Sequence, residues 1–200
     1  MSLQYNEDEI SNRLSRLESE YGIGYREDET VEVDPSAFER EIALARNGYL
    51  GSSYAWIVRS ASEAAPLTES MPRDARDARQ RVLMILGRGG DAWGIPGGGR
   101  EESETFEETT RREVREETGI ECTITDLFGL RYERRTAPGY EEVLHTVRLV
   151  FEAQYTDGSL SIQPGELNGA AWFATRPRRV HPLAKPLADD WFETDAAHER

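Results

Sequence analysis

The stretch from Gly98 to Ile120 constrains the fold most, because it specifies one helix at both ends. Thr105 and Glu108 have the spacing of a capping box, in which each side chain satisfies the other residue's backbone N–H, so the helix starts at Phe106. Gly119 supplies a left-handed stop. Between these signals only Phe106 and Val114 are strongly apolar, so the helix must pack along a narrow stripe. Glu113, Glu116 and Glu117 stand at i, i+3 and i+4, which places three carboxylates on one face about a turn apart. Such like charges repel by a few tenths of a kcal/mol per pair, roughly. Arg112 and Arg115 offset part of that, and a hard divalent cation, which takes oxygen ligands, offsets it better. The competing reading is a plain solvated face on an acidic protein.

The flanking sequence alternates strands with turn signals. Residues 54–58 read as a strand, and the apolar run 81–86 as a buried one. A glycine-rich loop from Gly87 to Gly99 follows, broken by Trp93 and Pro96. Residues 121–132 and 143–155 read as strands, with a turn at Asp157-Gly158, a short strand near 159–162, and another at 171–173. Residues 60–80, with two prolines and little periodicity, read as a loop, and the tail holds a short helix around 183–193. Upstream, Ile10, Leu14, Leu17 and Tyr21 predict an amphipathic helix over 6–21. A second starts with Asp34 as N-cap and Pro35 at the first helical position, presents Phe38, Ile42 and Ala45, and stops at Gly48. The fold class is therefore α/β, a sandwich around a mixed sheet, with residues 1–50 a helical extension and 51–200 the main domain.

Composition excludes several roles. The chain has 200 residues, 38 acidic and 24 basic, for a net charge of −14. Neutralising nucleic-acid phosphates needs a basic face, so a polymeric nucleic-acid partner is not expected, and adsorption to anionic membrane is disfavoured. Lys185 is the one lysine among the basic residues, and acid excess with so little lysine suits a salt-rich cytoplasm. Cys122 is alone, so no intramolecular disulfide or multi-thiolate site is expected. The first twenty residues hold no apolar signal region, and no run reaches a membrane span. The expectation from these features is a cytoplasmic protein.

The motif itself is longer than the helix. From Gly98, five residues lead to Glu104, and seven more to Arg112-Glu113-Val114-Arg115-Glu116-Glu117-Thr118-Gly119-Ile120. This resembles the signature of the Nudix hydrolases at every fixed position, and Trp93-Gly94-Ile95-Pro96-Gly97-Gly98 resembles that family's upstream flank. The resemblance implies the Nudix α/β/α sandwich over roughly residues 52–193. It implies that Glu116 and Glu117 bind magnesium or manganese, that Glu113 is a ligand or general base, and that the Gly97 carbonyl is a further ligand. It gives Gly98 and Gly119 structural roles, and pairs Glu104 with Arg112 to hold loop against helix. Glu166, six residues before Trp172, is the matching candidate for an additional ligand or base, with Glu141 and Glu142 in reserve. Ser103 and Thr109 depart from the usual glycine and alanine, which touches local packing rather than the carboxylates.

The implied activity is metal-dependent hydrolysis of a phosphoanhydride in a nucleoside diphosphate linked to another group. A nucleoside triphosphate is the first substrate class, with ADP-ribose or a nucleotide sugar the alternative. Arg88, Arg131, Arg134 and Arg135 are candidates for phosphate contacts, and Trp93, Tyr132 and Tyr140 for stacking on a base. Pro138 and Tyr140 do not match subclass spacings closely enough to choose. A nucleotide sensor and an isomerase on the same scaffold are competing classes; the first goes with a degraded motif, and Cys122 gives the second no support. His145, His181 and His198 are too dispersed for a local metal motif, and Gly97-Gly98-Gly99 lacks the lysine of a P-loop. The amphipathic N-terminal helices offer a surface for a homodimer.

Overall fold

The computed structural model describes residues 4–60, 80–101 and 103–198. Apart from its two end residues, the 60–80 loop reading falls outside them. The elements in chain order are β1 (Gln4–Tyr5), α1 (Glu7–Tyr21), β2 (Tyr25–Glu32), α2 (Pro35–Arg46), β3 (Gly51–Arg59), β4 (Arg81–Gly87), β5 (Gly97–Gly99), α3 (Phe106–Thr118), β6 (Ile120–Thr136), β7 (Val143–Gly158), β8 (Leu167–Phe173) and α4 (Lys185–His198). They form two compact units: Met1–Tyr54 with Gly98–Thr110 and Thr125–Glu152, and Ala55–Gly97 with Arg111–Ile124 and Ala153–Arg200.

In the first unit the strand order is β2-β6-β7-β3. β2 runs parallel to β6, from Tyr25 opposite Gly129 to Glu32 opposite Thr136, and β1 pairs parallel with β7. The α1 stripe of Ile10, Leu14 and Leu17 is buried, and Tyr21 sets its ring edge against Phe151 at 6.0 Å. Asp34 caps α2 by accepting from the Ser36 N–H at 2.9 Å, and Phe38, Ile42 and Ala45 pack with Ala137 and Leu144. The buried apolar residues of both helices are thus covered within the chain. Gly51 is required where β3 meets β7: its φ is +141°, and a Cβ would stand 1.9 Å from the Val147 carbonyl oxygen.

β2 is a strand that hydropathy does not announce. Its sequence is mostly charged, so neither alternation nor β-propensity marks it; pairing with β6 and the ion pairs of Arg131 with Glu27 (2.9 Å) and Glu29 (3.4 Å) accompany it instead. The first fifty residues are therefore not purely helical, because they contribute this strand.

In the second unit β4 lies antiparallel between β3 and β8, giving β3-β4-β8 and, with the parallel pairs above, a mixed sheet. Val114 of α3 enters a core with Ala55, Ile57, Leu83, Ile120, Cys122 and Ala153. That burial anchors the helix by its narrow apolar stripe. No strand forms at 159–162. A helix C-terminus leaves carbonyls unpaired, and this segment supplies donors to them: Ser161 N–H to the Thr118 carbonyl (2.8 Å) and Gln163 N–H to that of Glu117 (3.1 Å). Gly119, at φ +70°, turns the chain where a Cβ would approach the Ser159 carbonyl oxygen to 2.7 Å.

Candidate active site

The capping box forms as its spacing predicts. Glu108 N–H donates to Thr105 Oγ1 at 3.2 Å and Thr105 N–H donates to Glu108 Oε2 at 2.8 Å, so α3 begins at Phe106. The start fixes the register of everything after it. Glu117 comes to lie 8 % exposed, whereas Glu116 is 53 % exposed. Gly97 N–H donates to Glu117 Oε2 at 2.9 Å, a contact from β5 that the motif alone does not reveal.

Burial pushes the Glu117 carboxyl up to about 7, the Gly97 hydrogen bond opposes this, and the negative charges of Glu113 and Glu166 add to it. The electrostatics thus join Glu113, Glu117 and Glu166 around one buried carboxyl. Glu166 is carried by a loop fixed from two directions: Arg88 N–H donates to the Glu166 carbonyl at 2.7 Å, and Arg88 Nη1 donates to that of Gly165 at 3.3 Å. Arg88, a candidate for phosphate binding, stands here as an anchor of that loop. Arg112 Nη1 donates to Glu113 Oε1 (2.8 Å) and Glu116 Oε2 (3.3 Å), bridging two of the three helical carboxylates.

Glu104 accepts at Oε2 from Thr109 Oγ1 at 2.9 Å and from the Glu101 N–H at 3.2 Å. The threonine that departs from the family's alanine therefore holds the motif's glutamate. Arg13 and Arg100 donate to the Glu104 carbonyl at 3.2 and 2.6 Å, and Arg16 Nη2 donates to both oxygens of buried Glu107 at 2.8 and 2.7 Å. No sequence signal marked these contacts from α1, since they join residues about ninety positions apart.

Other candidates have different surroundings. Trp93 packs edge-on against Phe173 at 4.7 Å, with its backbone bonded to Arg179 and His181. Tyr132 is buried, shares a hydrogen bond with His145 Nδ1 at 2.5 Å, and has the Arg26 and Arg134 guanidinium groups within 6 Å of its ring centre, at 5.6 and 5.8 Å. His145 Nε2 stands 2.6 Å from Gln4 Oε1, and burial lowers the pKa of the ring. Arg131 is engaged by Glu27 and Glu29, and Tyr140 donates to Glu39.

Among the described residues no three His, Cys, Asp or Glu side chains form a ready-made metal cage. The donor chemistry nonetheless fits a hard divalent cation. Glu113, Glu117 and Glu166 carry carboxylate oxygens, the donor type such a cation takes; burial first and then their mutual repulsion raise Glu117, and positive charge relieves both.

The comparisons agree with this reading of the motif. The family model described as NUDIX domain matches residues 75–189. A protein from Caenorhabditis elegans named putative nudix hydrolase 1 is 34% identical over 92 residues, covering 46% of this chain and 23% of its own. The nucleoside triphosphatase NudI of an Enterobacter species is 33% identical over 85 residues, covering 40% of this chain and 60% of its own. The chain thus spans less than two thirds of either relative's length. Among solved structures, a MutT NUDIX hydrolase from Burkholderia pseudomallei is 21% identical, covering 68% of this chain and 96% of its own, at a TM-score of 0.44. The chain belongs to the NUDIX family, and its mixed sheet with flanking helices is the Nudix α/β/α fold. No helix among the described residues is long and apolar enough to cross a membrane.

Proposed function

We propose that the protein is a divalent-metal-dependent hydrolase of a phosphoanhydride in a nucleoside diphosphate linked to another group, with nucleoside triphosphates as the first substrate class. The observation that carries this is the buried Glu117 carboxyl, raised to about 7 beside Glu113 and Glu166 at the end of an intact Nudix motif. The name nucleoside triphosphatase, borne by relatives 31–33% identical, supports the substrate class.

Glu113, Glu116 and Glu117 would hold magnesium or manganese, with Glu166 and the Gly97 carbonyl as further candidates. When bound there, such a cation would supply neutralisation of phosphate charge and a lowered pKa for the attacking water. The chain's own residues do the rest. Gly97 N–H holds Glu117 in one orientation, Arg88 holds the Glu166 loop, and Arg112 keeps Glu113 and Glu116 together. Glu166, outside the helix, is the group we assign to take the proton from the attacking water. The high Glu117 pKa makes it a poor anion without a nearby cation, so activity requires the divalent ion. The acidic composition supports work in a salt-rich cytoplasm. The test is a panel of nucleoside triphosphates, ADP-ribose and nucleotide sugars with magnesium, with pyrophosphate and monophosphate detected separately; phosphate release from none of them contradicts the proposal.

A further inference from the structure

The first unit contains a cavity of about 210 Å³ lined by α2, β3, β6, β7 and the α2–β3 connection. Its charged wall is partly self-satisfied. Arg135 Nη1 donates to Glu133 Oε2 at 3.0 Å, and Arg135 Nε forms an ion pair with Glu41 Oε2 at 3.0 Å, although neither of those last two buried atoms makes a hydrogen bond. Arg148 is different. It forms a long ion pair with Glu133 Oε1 at 3.8 Å, beyond hydrogen-bond distance, so its guanidinium donors are not used by that carboxylate.

Three neutral donors share the cavity with it: the hydroxyls of Tyr49, Ser52 and Thr146. Among the described residues, none of these three hydroxyls, nor the Arg148 guanidinium, hydrogen-bonds another protein group. Ser52 and Thr146 are each 8 % exposed and line the cavity wall, where their hydroxyls are open to an occupant. The placement follows from strand periodicity. Thr146 and Arg148 are two residues apart on β7, as Glu133 and Arg135 are on β6, so each pair faces the same side. Burial raises the Tyr49 pKa, which keeps its phenol protonated and donating.

We propose that this cavity binds a small oxyanion, a single carboxylate or monophosphate group, through the Arg148 guanidinium and the hydroxyls of Tyr49, Ser52 and Thr146. A guanidinium offers a planar fork of donors and no acceptor, which a two-oxygen acceptor matches bidentately. The hydroxyls extend the donor set around the remaining oxygens. Glu41 and Glu133 repel a polyanion, which restricts the occupant to one anionic group.

The experiment is isothermal titration of the full-length protein, free of divalent metal and at constant ionic strength set with potassium chloride. Inorganic phosphate and acetate are the probes, used separately. At least one binds saturably at a single site, and which one binds assigns the source of the oxyanion. Arg148→Gln weakens that binding at least tenfold, and near-isosteric Thr146→Val weakens it severalfold. Binding of neither probe, or binding by both variants at wild-type strength, overturns the proposal. If Arg148→Gln does not fold, Thr146→Val decides it alone.

Discussion

The backbone N–H of Gly97 donates to Glu117 Oε2 across 2.9 Å, so a strand residue twenty positions upstream fixes the carboxyl that ends the motif's acidic face. Glutamine keeps the shape and an acceptor oxygen for that bond while removing the charge. Glu117→Gln should therefore stay folded and lose at least about 10²-fold in kcat, the scale of a lost electrostatic stabiliser. Steady-state kinetics with circular dichroism as the folding control checks this. A variant within twofold of wild type would remove Glu117 from the mechanism.

The same residue gives the metal-free protein a pH-dependent stability. Its carboxyl titrates near 7 when folded and near 4.5 ordinarily, so the folded state binds the proton more tightly. The stability this contributes is complete below pH 4.5 and is lost as pH rises through 7. Its size is about 3 kcal/mol by linkage. Denaturant unfolding with chelator present, at pH 4.5 and pH 8, should show wild type losing that much more than Glu117→Gln. Equal pH profiles would mean the carboxyl is not perturbed.

The helix carrying these groups was legible in the sequence because its determinants are local: the box from Thr105 to Glu108 and the stop at Gly119 lie within fifteen residues. The family resemblance nominates Glu166 through its offset from Trp172, and the charge of Glu166, like that of Glu113, is felt at Glu117. β2 was not legible, because its stabilisation comes from a partner strand about a hundred residues away while its own side chains are charged. Nor was the Gly97 contact, made by a backbone N–H that every residue type but proline possesses. Tyr132 illustrates the reverse case: a tyrosine suited to stacking on a base is buried instead against His145.

The ion pair from Arg16 to Glu107 joins α1 to the first turn of α3. Glu107 is buried while Arg16 is 43 % exposed, so the pair is screened on one side only. Arg16→Gln should cost about 1–2 kcal/mol, above a surface ion pair and below a fully buried one. Urea unfolding reads this directly, and a double-mutant cycle with Glu107→Gln should recover most of the loss. A change under about 0.3 kcal/mol would reduce it to an ordinary surface ion pair.

Metal dependence is the most direct test of the central claim that this acidic cluster hydrolyses phosphoanhydrides. Protein stripped with chelator, then assayed on nucleoside triphosphates with and without added magnesium, should be inactive without the ion and recover full turnover with it. Undiminished turnover by the stripped protein would contradict the account.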